Sequence, residues 1–174
     1  TNKWCTEPAY IEMARTALGC RIELDPMSSP EFNLTVRAER IYTEEDDCFV
    51  RAWVASTVLL NPAGGLVVRA WRRLMDEYFA NNVKQAIWIG FSTEQLCQLG
   101  NESVHPLDFS SLLPRKRISF VRHDGYVGAP GHNNYVIGVG IADDLFKNSF
   151  TGRGRFGRGR YSINDDTPLR HEGL

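Results

Sequence analysis

A carboxamide stands where a hydrophobic segment stops, in the stretch STVLLNPAGG (56–65). The five residues before Asn61 suit a buried strand, and Pro62, Ala63 and two glycines follow before a helical pattern begins. Ligands usually bind at the carboxyl ends of the strands in α/β sheets, so Asn61 and Pro62 are candidate functional residues. The alternative is a simple strand-to-helix turn, for which proline and glycine are also typical.

Two other predicted strand ends carry acidic side chains. Asp25 follows the segment CRIEL, and the acidic run 44–47 follows RIYT. We expect these ends and Asn61 to converge on one rim of the sheet, where a nucleotide-like ligand would bind. Asp25 would anchor a loop whose backbone N–H groups face the ligand, and a carboxylate of the acidic run, here assigned as Asp47, would accept hydrogen bonds from a ribose. Alternatively, Asp25 and Ser28 cap the following helix, and the acidic run is a solvated turn.

The elements that would hold these residues alternate along the chain. A capping residue, Thr6, and helical spacing predict a helix over TEPAYIEMARTALG, and further helices are predicted near Val36 and Ala38, after Gly65 and over TEQLCQLG. Strand patterns occupy CRIEL, RIYT, STVLL, KQAIWIGF, RISFV and YVIGVG. This alternation predicts an α/β fold with a mainly parallel sheet, helices on both faces and a late antiparallel strand.

The overall composition is that of a soluble globular chain. Its 174 residues are 43% hydrophobic and 24% charged, which suffices for one domain with a sizeable core. The formal net charge is −1, so a nucleic-acid partner would need a local basic patch. The apolar pattern fades from Asp143 onward, and we therefore expect a domain over 1–145 and a flexible Arg/Gly-rich tail over 146–174.

Three features of the sequence bear on the cellular compartment of the protein and on contact with a membrane. Four scattered cysteines predict neither a disulfide framework nor a zinc site, which favours a reducing, cytoplasmic location. No apolar run approaches the ~20 residues that span a bilayer, and TNKWCTEPAY lacks a signal-peptide core. We therefore expect no membrane partner.

A metal site has little support in the sequence. His123, Asp124 and His132 could hold a metal ion, but no further ligand at a suitable spacing accompanies them. We therefore predict no metal site.

Two basic segments are candidates for contacts with a phosphate backbone. Arg115 and Arg117 precede a predicted strand in LPRKRISFV. The later segment GRGRFGRGR places four arginines among glycines around Phe156: Arg153, Arg155, Arg158 and Arg160. Flexible arginines can follow phosphates while an aromatic ring stacks on an exposed base, which indicates DNA or RNA as a partner. The alternative is a disordered, solubilising tail.

The order and spacing of several segments resemble one protein family. KWCTEPAY, LDPMSSPEFN, YTEEDD and VLLNPAGG, followed by RKRISFV and NNYVIGVG, are similar to the small phage-type, Dam-like DNA adenine-N6 methyltransferases. That family has a Trp-x-Thr-Pro start, an Asp-Pro-x-Ser-Ser loop, Tyr-Thr before acidic residues and an Asn-Pro-Pro motif. The likeness extends over residues 3–140. It implies a Rossmann-like fold, S-adenosylmethionine as methyl donor and adenine in DNA as acceptor.

The resemblance assigns roles to particular positions. It implies catalytic roles for Asn61 and Pro62, and a cofactor site formed by Trp4, Thr6, Asp25, Pro26, Ser28 and Asp47. The N6 lone pair of adenine is delocalised into the ring, so an enzyme must favour the pyramidal amino group whose lone pair points at the methyl group. The Asn61 side-chain oxygen and the Pro62 carbonyl would accept the two amino hydrogens without adding a negative charge. In-line positioning of the two reactants supplies the remaining contribution.

Several positions depart from the family pattern. Ala63 replaces the second proline, and Gly64 stands where an aromatic side chain would stack on the flipped base, so Gly64 is assigned to the nucleic-acid contact. Cys48 replaces a usual glycine, and WCTEP has one residue more than Trp-x-Thr-Pro. Three other aromatic residues are candidates to supply the stacking ring: Phe91, Tyr126 and Tyr135.

These departures leave two alternative functions open. Ala63 and Gly64 would suit a catalytically silent nucleic-acid-binding or regulatory module that has kept the fold. The same site could also transfer a methyl group to another exocyclic amine, such as cytosine N4 or a base in RNA.

Overall fold

The computed structural model describes residues 4–122, 125–128 and 131–157, and for Trp4 it describes the backbone. Within these residues, five α-helices form: α1 (Pro8–Ala17), α2 (Pro30–Val36), α3 (Val67–Phe79), α4 (Glu94–Gln98) and α5 (Asp143–Ser149). None of these helices is long and apolar enough to cross a membrane. Ten strands occur in the same residues: β1 (Trp4–Thr6), β2 (Leu24–Asp25), β3 (Arg40–Ile41), β4 (Ala55–Leu60), β5 (Val83–Gly90), β6 (Ser110–Pro114), β7 (Phe120–Arg122), β8 (Val127–Gly128), β9 (Tyr135–Val139) and β10 (Gly154–Gly157).

Seven of the described strands form one mixed sheet in the order β10-β6-β9-β5-β4-β2-β3. The neighbours from β3 to β5 are parallel. Strand β9 is antiparallel to both β5 and β6, and β10 is antiparallel to β6. The protein is therefore an α/β protein whose arrangement is compatible with a Rossmann-like fold. The expectation of a mainly parallel sheet is correct for one half only, because every strand pair from β5 to β10 is antiparallel.

Helices cover both faces of this sheet. Helix α3 packs Trp71 into the cluster that contains Leu60, while α1 and α5 pack into the cluster that contains Leu59. Leu59 and Leu60 are both fully buried, and as neighbours in β4 they point to opposite faces. The central strands are thus covered on both sides, which explains their nearly continuous apolar sequences.

The amino-terminal strand belongs to a second, three-stranded sheet. Strand β1 pairs antiparallel with β7, and β7 pairs antiparallel with β8. Thr6, which the sequence predicts as a helix cap, lies in β1, while Glu7 takes the N-cap position and Pro8 the first helical position. Glu7 also ties β1 to the later chain, because its N–H donates to the Ser119 carbonyl at 3.0 Å and its carboxylate accepts the Ser119 N–H at 3.2 Å.

The late strands differ from the prediction. The large sheet takes β6, with the sequence SSLLP, instead of RISFV, and the end of RISFV enters the small sheet as β7. Strand β6 contributes fully buried Leu112 to the same cluster as Phe146. Gly138 of the facing strand β9 makes this packing possible, because a side-chain carbon there would lie 2.5 Å from the Phe146 ring. The predicted strand over YVIGVG is present as β9.

The carboxy-terminal part of the described chain is folded. The expected domain boundary after residue 145 falls inside α5, whose Phe146 is fully buried, as is the following Phe150. Strand β10 then pairs with β6 at the edge of the large sheet. Residues 146–157 therefore belong to the domain, because two phenylalanines four positions apart reach the core from an otherwise polar segment. The rest of the expected tail, with Arg158 and Arg160, lies outside the described residues.

Candidate functional site

The carboxyl ends of β2, β3 and β4 border a cleft with a volume of about 1190 Å³. Parallel neighbours end at the same edge of a sheet, so loops that are distant in sequence line this cleft together. Six residues selected from the sequence are among its lining residues: Pro26, Ser28, Asp47, Asn61, Pro62 and Gly64. The structure thus brings the three polar strand ends to one rim.

Asp25 ends β2 and is buried. Its Oδ1 accepts the Met27 N–H at 3.2 Å, so the carboxylate anchors the loop that follows. Burial raises the pKa of Asp25 to about 6, although the Met27 N–H favours the charged form. The helix-cap alternative for Asp25 and Ser28 is wrong, because Ser29 caps α2 by accepting the Phe32 N–H at 3.2 Å.

The hydroxyl of Ser28 lies beside the Asp25 carboxyl group and lines the cleft. It also opposes the rise in the pKa of Asp25, but the geometry between the two groups falls short of a hydrogen bond. The buried Ser28 Oγ therefore has no hydrogen-bond partner among the described residues. With its hydrogen toward the Asp25 carboxylate, the Ser28 oxygen can still accept a hydrogen bond from a ligand in the cleft.

The acidic run divides into one structural carboxylate and three that line the cleft. Asp46 accepts hydrogen bonds from the N–H and the hydroxyl of Thr43 at 2.9 and 3.0 Å, and these bonds lower its pKa. Asp47 adopts a left-handed backbone with a φ of 46°, and its Oδ1 accepts the Phe49 N–H at 3.1 Å. This local bond holds an exposed carboxylate at the rim, at the end of β3.

Asn61 follows the last residue of β4 and is half-buried in the lining of the cleft. Its Nδ2 donates to Oγ1 of Thr6 at 2.9 Å. Thr6 belongs to β1 and is 4% exposed, so the small sheet and the large sheet meet at this pair. No described residue donates a hydrogen bond to Oδ1 of Asn61, which leaves this oxygen as an acceptor for a ligand in the cleft.

Gly64 and Phe91 lie next to each other at the rim. A side-chain carbon added at Gly64 would lie 3.3 Å from the Phe91 ring, and both residues line the cleft. Tyr135 is fully buried and hydrogen-bonded within the core. Tyr126 is 58% exposed and is not part of the cleft lining. Of the three aromatic candidates, the structure therefore brings Phe91 to the cleft.

Arg69 and Phe49 line the cleft without being candidates from the sequence. Arg69 of α3 holds its guanidinium 3.8 Å from the centre of the Phe49 ring, and both side chains line the cleft. This cation–π contact fixes a positive group beside the acidic loop. The position of Arg69 in the first turn of α3, which starts at the rim, is a signal that sequence analysis could have used. Phe49 lies in an irregular loop, where no periodicity marks it.

Four of the predicted DNA contacts lie at the same edge of the sheet but outside the cleft. Strand β6 runs in the direction of β5, so Arg115 and Arg117 follow its end at the edge where β5 also ends. Arg153 and Arg155 lie at the start of β10, where Arg155 pairs with Leu113. All four are exposed, and the Arg115 N–H donates to the Arg153 carbonyl at 2.7 Å. The two basic segments are therefore neighbours.

The remaining candidates are only partly within the structure. Trp4 lies in β1, where its backbone alone is described, and His123 and Asp124 lie outside the described residues. His132 lines the cleft. The described residues contain no group of three side chains that could hold a metal ion.

No protein-family model, no curated protein and no solved structure gives a significant match to this chain. The function must therefore be inferred from the residues of the cleft.

Proposed function

We propose that this protein is a Rossmann-like, Dam-like methyltransferase that transfers a methyl group from S-adenosylmethionine to N6 of adenine in DNA. The observation that carries the proposal is the Asn61 carboxamide, which lines the cleft at the end of β4, is held by Thr6 through its nitrogen and receives no hydrogen bond on its oxygen from a described residue. An uncharged acceptor at this position suits a reaction in which an amino group attacks a cationic methyl donor.

The ends of β2 and β3 form the half of the cleft that suits the cofactor. Asp47 is exposed at the rim and can accept hydrogen bonds from ribose hydroxyls. The loop of Asp25, Pro26 and Ser28 offers a buried hydroxyl without a partner among the described residues. When bound, S-adenosylmethionine supplies a methyl group on a positively charged sulfur, and the carboxylates of the acidic run favour that charge.

Asn61, Pro62 and Phe91 form the half of the cleft that suits the base. The Asn61 Oδ1 and the Pro62 carbonyl accept the two hydrogens on N6 and so favour the pyramidal amino group. Phe91 provides a ring beside Gly64 on which the base can stack, and the missing side chain at Gly64 leaves room for that ring. Gly64 is thus compatible with an active site, because the aromatic ring comes from the end of β5.

The basic segments suit a phosphate backbone that approaches the same edge of the sheet. Arg115, Arg117, Arg153 and Arg155 are exposed there. The target base must leave the helix to reach Asn61, which costs a few kcal/mol of unstacking. Contacts between arginines and phosphates would offset this cost and hold the DNA in register.

Asn61→Ala tests the proposal directly. We expect the variant to lose about 100-fold or more in methyl transfer, because a preorganised hydrogen-bond partner of the reacting group is removed. Its affinity for S-adenosylmethionine should stay nearly unchanged, since Asn61 contacts the acceptor base. The measurement is tritium transfer from labelled cofactor to DNA, followed by nucleoside analysis, with calorimetry for cofactor affinity. Asn101→Ala, in an exposed turn, is the matched control.

Each other outcome has a defined meaning. Equal label in the wild type and Asn61→Ala would remove Asn61 from the mechanism. Cofactor binding without label in the wild type would favour the silent module. Label found in N4-methylcytosine or in RNA would assign another exocyclic amine. No binding at millimolar S-adenosylmethionine would overturn the methyltransferase proposal.

A further inference from the structure

The contact between Thr6 and Asn61 joins two parts of the fold that are 55 residues apart in the chain. Thr6 is held in place by its strand, where it pairs with Phe120, and by α1, which begins two residues later. Its side chain is nearly inaccessible to solvent. Its hydroxyl oxygen lies 2.9 Å from the Asn61 Nδ2, which is the one hydrogen bond that the described residues provide for that side chain.

A carboxamide has one donor end and one acceptor end, and rotation by 180° exchanges them. An exocyclic amino group presents two N–H donors to its surroundings, so it requires the oxygen end of Asn61. If the nitrogen end faced the base, an N–H donor of Asn61 would lie against an N–H donor of the amino group. In the structure the nitrogen end is bound to Thr6, and the oxygen end is the one that remains available.

We propose that Thr6 is a positioning residue that holds the Asn61 carboxamide at the rim, with the amide nitrogen on the Thr6 hydroxyl and the amide oxygen toward the amino group of the acceptor base. This inference rests on the proposed function. It also replaces the cofactor-binding role that the resemblance implies for Thr6, because the hydroxyl is directed at Asn61 and Thr6 is not among the residues that line the cleft. Thr6 acts through Asn61 and does not touch the reacting atoms.

Three variants of the full-length chain test the role of the hydroxyl. Thr6→Val has nearly the same shape but cannot hydrogen-bond, and we expect its kcat to fall about fivefold to tenfold with KM for the cofactor and for DNA nearly unchanged. Thr6→Ser keeps the hydroxyl and should recover most of kcat. Thr16→Val makes the same chemical change on the exposed side of α1 and serves as the control.

A second measurement follows the contact itself. In ¹⁵N-labelled protein, the Asn61 side-chain amide signals, assigned by their loss in Asn61→Ala, should shift and exchange faster in Thr6→Val but not in Thr16→Val. This readout is independent of catalysis, so it separates a failure of this inference from a failure of the proposed function.

The opposing results are distinct. An active wild type with unchanged kcat and unchanged Asn61 signals in Thr6→Val would overturn the positioning role alone. A higher cofactor Kd with unchanged kcat would assign Thr6 to cofactor binding instead. An inactive wild type would overturn the proposed function, and with it the role of this contact in methyl transfer.

Discussion

At the residue scale, Asp25 and Ser28 place two polar groups out of water at the end of β2. The carboxyl group has one described hydrogen bond, from Met27, and the Ser28 hydroxyl has none within the described residues. Both groups are buried although they contribute nothing to the packing of the apolar core. Both are more easily understood as parts of a site that a ligand completes, since strand ends of this kind carry polar groups for binding.

Asp25 therefore predicts a specific dependence of stability on pH. Its pKa is raised from 3.8 to about 6, so between these values the folded protein holds more protons than the unfolded chain. The free energy of unfolding then falls as pH rises through this window, and the loss is complete above pH 6. The full difference corresponds to about 3 kcal/mol.

Asp25→Asn should remove this loss, because the amide cannot ionise but keeps an oxygen for the Met27 N–H. We expect the ligand-free variant to match the wild type near pH 3.5 and to exceed its free energy of unfolding by up to about 3 kcal/mol at pH 7.5. Urea unfolding across this pH range is the measurement, with Asp76→Asn on the exposed side of α3 as the control. Parallel profiles for wild type and Asp25→Asn would contradict the prediction.

Much of the cleft could be selected from the sequence, because strand ends are visible as places where apolar runs stop. Asp25, Asp47 and Asn61 stand at such places; Asp47 and Asn61 line the cleft, and Asp25 is buried behind the loop that does. The contact of Thr6 with Asn61 cannot be predicted from the sequence. It depends on the pairing of β1 with β7, which are far apart in the chain. The position of Phe91 beside Gly64 depends on how far β4 and β5 extend, which periodicity does not determine.

At the element scale, long periodic segments were predicted well and short strands were not. Helices α1 and α3 and strands β5 and β9 lie where the patterns indicate. The sequence patterns do not indicate β1, β6 or β8, and they place β10 in a tail, because these short strands lack a clear apolar alternation and take their structure from their partners. Helix α5 was missed for a different reason, since its apolar side chains are few.

Phe150→Ala tests whether the segment after residue 145 belongs to the domain. Phe150 is fully buried, with its ring centre 5.0 Å from that of Phe146. Removing a buried phenylalanine ring should lower the free energy of unfolding by about 3–5 kcal/mol. Phe79→Ala is the control, because Phe79 is largely exposed at the end of α3. A change within about 0.5 kcal/mol, as expected for a solvated tail, would contradict the fold of this segment.

At the scale of the whole molecule, acidic and basic groups occupy different parts of one edge of the sheet. The acidic loop after β3 lies beside the cleft, and the basic segments lie near β6 and β10 at the far side of β5. The net charge of −1 conceals this separation. A cationic cofactor and an anionic polymer could therefore approach the same edge without competing for the same groups.

This arrangement predicts how DNA affinity responds to salt. Arg115→Gln and Arg155→Gln should each weaken binding and lower the slope of log K against log salt by roughly one unit, as expected for the loss of one phosphate contact. Arg21→Gln is the matched control, because Arg21 precedes β2 at the opposite edge and is paired with Glu39 at 2.7 Å. Fluorescence anisotropy over a salt series gives the slopes. If Arg115→Gln and Arg155→Gln had the same slope as the wild type and Arg21→Gln, Arg115 and Arg155 would not contact phosphates.

The small sheet has a consequence for how the protein fluctuates. Strands β1 and β7 contain three residues each and β8 contains two. The residues of β7 and β8 are exposed or half-buried. Few backbone bonds and little buried surface hold it, whereas the large sheet is covered on both faces. Local opening therefore takes much less free energy at the small sheet than in the core. Phe120 and Gly128 of this sheet line the cleft, so the wall that they form is held less firmly than the wall at the ends of β2, β3 and β4.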